Sequence, residues 1–116
     1  MTTRELYDIV SGDYEKIKAN LKTDERIDRF SRMFVEDNGF QELESAMKSG
    51  QYEEAFRAAH KLKGVCQNLF YTGMYQVVYK ITEDLRGQAD VDDAVRLLPE
   101  LEEIYKLTID SISKLD

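Results

Sequence analysis

Apolar residues recur at steps of three and four from one end of this 116-residue chain to the other, and nowhere do they alternate for more than a few positions. Steps of three and four match the α-helical turn of about 3.6 residues, whereas a half-buried strand needs a step of two, so the pattern points to an all-α fold. The clearest stripe is Tyr52, Ala55, Ala59, Leu62, Cys66 and Leu69, the seam of a helix packed in a bundle. A second stripe, Met74, Val78, Ile81 and Leu85, belongs to a helix expected from Thr72 to Arg86. The connection between the two is so short that they must be antiparallel neighbours.

The remaining segments follow the same rule. Leu6, Ile9 and Val10 mark a short first helix, and Tyr14, Ile17 and Leu21 a second that starts near Gly12-Asp13, so residues 1–22 form an N-terminal helical cap. Thr23 is the expected N-cap of the next helix. Asp24 and Glu25 place negative charge in its first turn, and Ile27, Phe30 and Phe34 face inward. Asn38-Gly39 interrupts that helix. Phe40, Leu43 and Met47 carry the pattern on to a turn at Ser49-Gly50, as a continuation or a bent second half. Asp90 is expected to cap the last helix, whose stripe of Ala94, Leu98, Leu101, Tyr105, Thr108, Ile112 and Leu115 survives Pro99 and therefore predicts one kinked helix rather than two. The expected fold is a single domain over residues 1–116. It is an antiparallel up-down-up-down four-helix bundle (23–116) with additional short N-terminal helices.

Composition narrows the function classes. No apolar run approaches the roughly 20 residues a membrane helix needs, and Met1-Thr2-Thr3-Arg4-Glu5 lacks the apolar segment of a signal peptide, so a cytoplasmic protein is expected. The net charge is −7, with lysines and arginines interleaved among acids, which argues against nucleic acid as a partner. One cysteine and one histidine without a Cys-x-x-Cys pair build no structural zinc site, and no acidic calcium loop is present. Cys66 falls on the apolar side of its helix and reads as a small core residue.

The solitary His60 is the feature that carries chemistry. At about 100° per residue, Lys63, Gly64 and Gln67 fall within roughly 60° of it, while Leu62, Val65, Cys66 and Leu69 cluster on the opposite side. The imidazole is therefore aimed away from the core. With a reference pKa near 6.5, an imidazole is largely neutral at pH 7 and nucleophilic without a buried base, which suits a receiver of phosphoryl groups. Lys63 would face the same solvent patch and stabilise the added negative charge. Gly64 costs a helix about 1 kcal/mol relative to alanine, and clearance for an approaching partner is a reason for it.

The run Ala58-Ala59-His60-Lys61-Leu62-Lys63-Gly64, followed by Asn68-Leu69, resembles the signature of histidine-containing phosphotransfer (HPt) domains, the modules of multistep two-component phosphorelays. Phe34-Val35-Glu36-Asp37, the positions Leu43, Ala46 and Gly50, and Tyr52-Glu53-Glu54-Ala55-Phe56 follow the family pattern too, extending the resemblance over roughly residues 25 to 112. The resemblance implies that His60 is the phosphoacceptor at Nε2, with Lys63 as charge stabiliser and Gly64 keeping the approach open. Gln67 is a candidate hydrogen-bond donor to the phosphoryl group, and Phe56, Arg57, Lys61 and Asn68 are candidate docking residues. Receiver domains of response regulators and a hybrid sensor histidine kinase are the implied partners, the receiver supplies the divalent cation, and the domain itself is a monomeric carrier with no intrinsic cofactor, no metal and no autonomous kinase activity.

Two departures from the family pattern are visible. Phe70 stands where many members have glycine, and Thr82 is the nearest equivalent of a glutamine that packs beside the histidine in some members. The rival reading is a phosphate-independent helical module that docks receivers or other proteins, which the intact His60, Lys63 and Gly64 disfavour. An enzyme with its own substrate pocket is weaker, because no second titratable group pairs with His60 and no phosphate-cradling glycine loop is present.

Overall fold

The computed structural model describes all 116 residues, which form seven α-helices and one 3₁₀ turn without a strand. The helices are α1 (Thr3–Ile9), α2 (Tyr14–Leu21), α3 (Asp24–Val35), α4 (Gly39–Lys48), α5 (Tyr52–Asn68), α6 (Thr72–Leu85) and α7 (Val91–Ile112), and the 3₁₀ turn is Arg86–Gln88. Their starts follow side-chain chemistry. Thr23 Oγ1 accepts from the Arg26 amide, Asp90 Oδ1 from that of Asp93, and Asp13 Oδ1 from that of Lys16. Each satisfies a backbone donor that the first helical turn leaves free. No helix is long and apolar enough to cross a membrane.

Helices α4 to α7 form the bundle, α4 lying along α5, α5 along α6, α6 along α7, and α7 closing back toward α4. The two central stripes pack as the periodicity implies. Ala55, Ala59, Leu62, Cys66, Met74, Val78 and Ile81 are completely buried, Leu85 is 1% exposed, and Tyr52 is half-buried. The last helix runs unbroken through Pro99, with Leu97 buried and Leu98 only half-buried.

The segment from Thr23 to Lys48 is two helices rather than one bent one. α3 ends at Val35, and the Asp37 carboxylate accepts a 2.8 Å hydrogen bond from the Gly39 amide, which redirects the chain. Gly39 is buried where α4 crosses α5, and a side chain there would meet the Asp37 carboxylate at 2.8 Å and Leu62 at 3.5 Å. Within α3 the inward stripe is Ile27, Ser31 and Phe34, while Phe30, expected inside, is 41% exposed. The physical reason is a hydrogen bond: the Tyr71 hydroxyl donates to Ser31 Oγ at 2.7 Å, and that buried polar contact sets the rotation of α3. In α1 the same substitution occurs, with Tyr7 completely buried and Ile9 44% exposed.

These tyrosines tie the N-terminal helices to the bundle. Tyr7 donates to the Leu69 carbonyl at 2.8 Å across the α5–α6 turn. Its ring lies 5.4 Å from that of Tyr71, and the chain of aromatic contacts continues through Phe34 and Tyr105 to Phe40. At the other end of the bundle, the α6–α7 corner turns at Gly87 and Gln88, both with positive φ, and the Asp90 amide donates to the Asp84 carbonyl at 2.8 Å. Carboxylates of Asp84, Asp90 and Asp93 converge there, and the Lys80 ammonium bridges Asp84 and Asp93.

Candidate functional site

His60 sits midway along α5 on its solvent face. Its backbone is held by buried small residues on the opposite side, Ala55, Ala58 and Ala59, which let α5 approach its neighbours closely. The imidazole is exposed, and no hydrogen bond or ion pair within the chain engages either ring nitrogen. Its one close aromatic neighbour is Phe56, one turn earlier, stacked at 6.1 Å between centroids with 21° between planes. An imidazole so placed keeps both nitrogens available and has its ring plane braced from one side.

Lys63, one turn beyond, is half-buried and makes no ion pair; its ammonium lies 5.6 Å from the centre of the Tyr79 ring on α6. Of the other cations around His60, Arg57 is paired with Glu53 at 3.2 Å and Arg86 with Glu83 at 3.1 Å, while Lys61, exposed on the far side of the ring, makes no ion pair. The Lys63 charge is thus free to meet an incoming anion. At Gly64, a side chain would meet no neighbouring group within 4 Å. Internal packing therefore gives no reason for glycine at this position, in contrast to Gly39.

The other expected site residues divide. Gln67 is exposed on the same face but two turns on, about 10 Å along the axis. There it borders a shallow groove with Phe70, Thr72 and Tyr75, and its amide does not reach the His60 ring. Arg57 and Lys61 flank His60 on the α4 side, lining a wide polar groove with Gln41, Glu42 and Glu54. Asn68 lies at the far end of α5, beside an apolar groove formed with Leu21, Phe30, Met33 and Val65. Met33, 58% exposed, is the most open large apolar side chain of that groove.

Thr82 does not stand beside the histidine. It is completely buried, and its hydroxyl donates to the Val78 carbonyl at 2.7 Å. The residues that do face the site are Tyr79 and Glu83 of α6 and Arg86 of the 3₁₀ turn that follows it, at steps of four and three along one outer edge. The antiparallel register sets Tyr79 against Lys63 and Arg86 against Phe56, with the Arg86 guanidinium 5.0 Å from the Phe56 ring centre. Midway between these contacts, at the height of His60, α6 presents Thr82 to the core and Glu83 to the surface. Arg86 holds the Glu83 carboxyl below its ordinary value, and the nearby charges of Lys63 and His60 act in the same direction. None of these three residues stood out in the sequence. The available signal was their shared face, opposite the stripe of Met74, Val78, Ile81 and Leu85.

The arrangement is an exposed nucleophile on a rigid helix, with an uncommitted cation one turn away and an open approach beside it. It holds no enclosed substrate cavity. Comparison with curated proteins and with solved structures finds no match. The family model of the Hpt domain matches residues 30–110, from within α3 to near the end of α7, and so contains α5, α6 and the His60 face between them. The chain belongs to the Hpt domain family, the phosphocarrier modules of two-component phosphorelays, whose partners are receiver or kinase domains.

Proposed function

We propose that His60 is the phosphoacceptor of a phosphorelay intermediate, taking a phosphoryl group from the aspartate of one receiver domain, or from a sensor kinase, and passing it to the aspartate of another receiver. The Nε2 lone pair attacks phosphorus, the Nε2–P bond forms as the acyl-phosphate O–P bond breaks, and the donor carboxylate leaves. Onward transfer is the reverse step toward a second carboxylate. The receiver brings the divalent cation and the aspartate; this chain brings the nucleophile, the Lys63 cation and the docking face. Catalysis is then largely positioning and electrostatics.

The observation that carries this reading is the free, exposed His60 imidazole beside an uncommitted Lys63 and a glycine that internal packing does not require. A partner reaching His60 passes over Gly64, and Lys63 neutralises part of the nearly two negative charges that arrive. Phe56, Arg57, Lys61 and Asn68 frame the approach, and the apolar groove of Phe30 and Met33 beside Asn68 extends that face toward α3. We assign this face to a receiver domain, with the chain acting as a monomeric cytoplasmic carrier.

Incubation with a phosphorylated receiver or an autophosphorylating sensor kinase, followed by separation of phosphorylated from unphosphorylated chain, tests the reading. Wild type is expected to take up label that is stable to alkali and labile to acid, and His60→Gln to take up none. Equal label in His60→Gln would overturn the assignment. ATP alone, without a partner, is expected to label nothing, and labelling under those conditions would favour an enzyme.

A further inference from the structure

We propose that Glu83 and Arg86, paired at the C-terminal end of α6 beside the histidine, form an electrostatic counterpoise that sets how readily phosphorylated His60 gives up its phosphoryl group. The inference rests on His60 carrying phosphate and assigns roles to two residues outside the His60, Lys63 and Gly64 set. Its basis is placement. The helix register that puts Lys63 against Tyr79 and Phe56 against Arg86 leaves Glu83 as the outward residue of α6 level with His60. Arg86 stands one turn further on, its guanidinium 5.0 Å from the centre of the Phe56 ring that stacks on His60.

The two charges act in opposite senses on the phosphorylated state. Before transfer the ring is neutral or singly positive, and the Glu83 carboxylate is tolerated or mildly favourable beside it. After transfer the ring bears a group of nearly two negative charges, and the carboxylate repels it. Arg86 is bonded to Glu83 through two nitrogens, at 3.1 and 3.4 Å, and both side chains are partly solvent-exposed, so the guanidinium is able to turn from the carboxylate to the phosphoryl oxygens. Glu83 therefore raises the transfer potential of phosphohistidine and Arg86 lowers it. A carrier that must both accept and release is served by such a balance, because an excess of positive charge would trap the phosphoryl group on His60.

The test needs no cognate partner. Phosphoramidate phosphorylates histidine directly: the Nε2–P bond forms as the donor's N–P bond breaks, and ammonia leaves with the proton. At a fixed donor concentration, ³¹P NMR gives the steady-state ratio of phosphorylated to unphosphorylated chain and its decay after donor removal. Glu83→Gln is expected to raise that ratio about threefold and Arg86→Gln to lower it by a similar factor, with both differences shrinking as salt is added. The double variant should return toward wild type. Opposite signs are the diagnostic, since a purely structural role for the pair moves both variants the same way. Unchanged ratios, or shifts of one sign, overturn the counterpoise while leaving His60 as acceptor. Absence of any phosphohistidine in wild type overturns both readings.

Discussion

The α5–α6 hairpin is built by opposite rules at its turn and at its middle. At the turn, Tyr71 is completely buried, its hydroxyl donates to Ser31, and Tyr7 donates to the Leu69 carbonyl, so each polar atom has one internal partner. At mid-height, His60 has no hydrogen-bonded partner, Lys63 has only an aromatic face, and the Glu83–Arg86 pair lies in solvent. The difference separates rigidity from reactivity. The turn fixes where α5 stands, and the middle leaves the His60 ring and the Lys63 ammonium without a bonded partner.

The largest expected effect lies at the turn. Tyr71→Ala removes a buried aromatic ring and orphans Ser31, and is expected to lower unfolding free energy by about 4 kcal/mol, measured by urea denaturation. Tyr71→Phe, which loses only the hydroxyl, should cost about 1 kcal/mol. Burial holds the Tyr7 and Tyr71 phenols well above their ordinary value, and pushes the Cys66 thiol up to about 12. The unfolded chain releases these protons first, so stability falls as pH rises past the ordinary values, about 8.5 for the thiol and about 10 for the phenols. The Tyr71→Phe variant should show a shallower alkaline decline than wild type. An equally steep decline would mean that the turn is not closed to water.

At mid-height the expected pattern is reversed. Lys63→Ala removes an exposed cation–ring contact worth about 0.5 kcal/mol, so the denaturation midpoint should barely move. If Lys63 acts as proposed, its loss should nevertheless lower the phosphohistidine yield from a receiver several-fold, about three to ten, because a charge-assisted contact to the phosphoryl group is removed. A large stability loss without a transfer defect would erase the contrast between the two regions.

How much of this was legible in the sequence follows from the same contrast. The α5 and α6 stripes are buried as their spacing implies, and the caps at Thr23 and Asp90 form, because periodicity and capping are local properties of the chain. His60, Lys63 and Gly64 share a face for the same reason. What the sequence did not show depends on how helices meet. Ser31 in place of Phe30 is dictated by a hydroxyl donated from Tyr71, forty residues away. Thr82 lies at the right height along α6 but on its inner side, and Glu83, the next residue, faces the site. That distinction needs the register between α5 and α6, which no single stripe encodes.

A further expected effect concerns Phe70, at the hairpin turn where many members of the family have glycine. Both α4 and α5 end in the same helix stop: the amide two residues past the cap returns to a carbonyl of the last turn, Gln51 to Ala46 in one and Tyr71 to Cys66 in the other. The residue between must adopt positive φ, which is Gly50 at 72° and Phe70 at 54°. Phe70 thus keeps the conformation that glycine favours, at a cost of roughly 1 to 2 kcal/mol, while its half-buried ring packs against the core and its carbonyl accepts from the Asp13 amide at 2.9 Å. Phe70→Gly and Phe70→Ala both delete the ring, so their difference isolates the backbone. The glycine variant should be the more stable by about 1 kcal/mol in urea denaturation, the reverse of the order found in a helix interior. Alanine equal to or better than glycine would mean that the turn relaxes out of the left-handed region. The Tyr7–Leu69 and Tyr71–Ser31 bonds would then not be rigid enough to impose it.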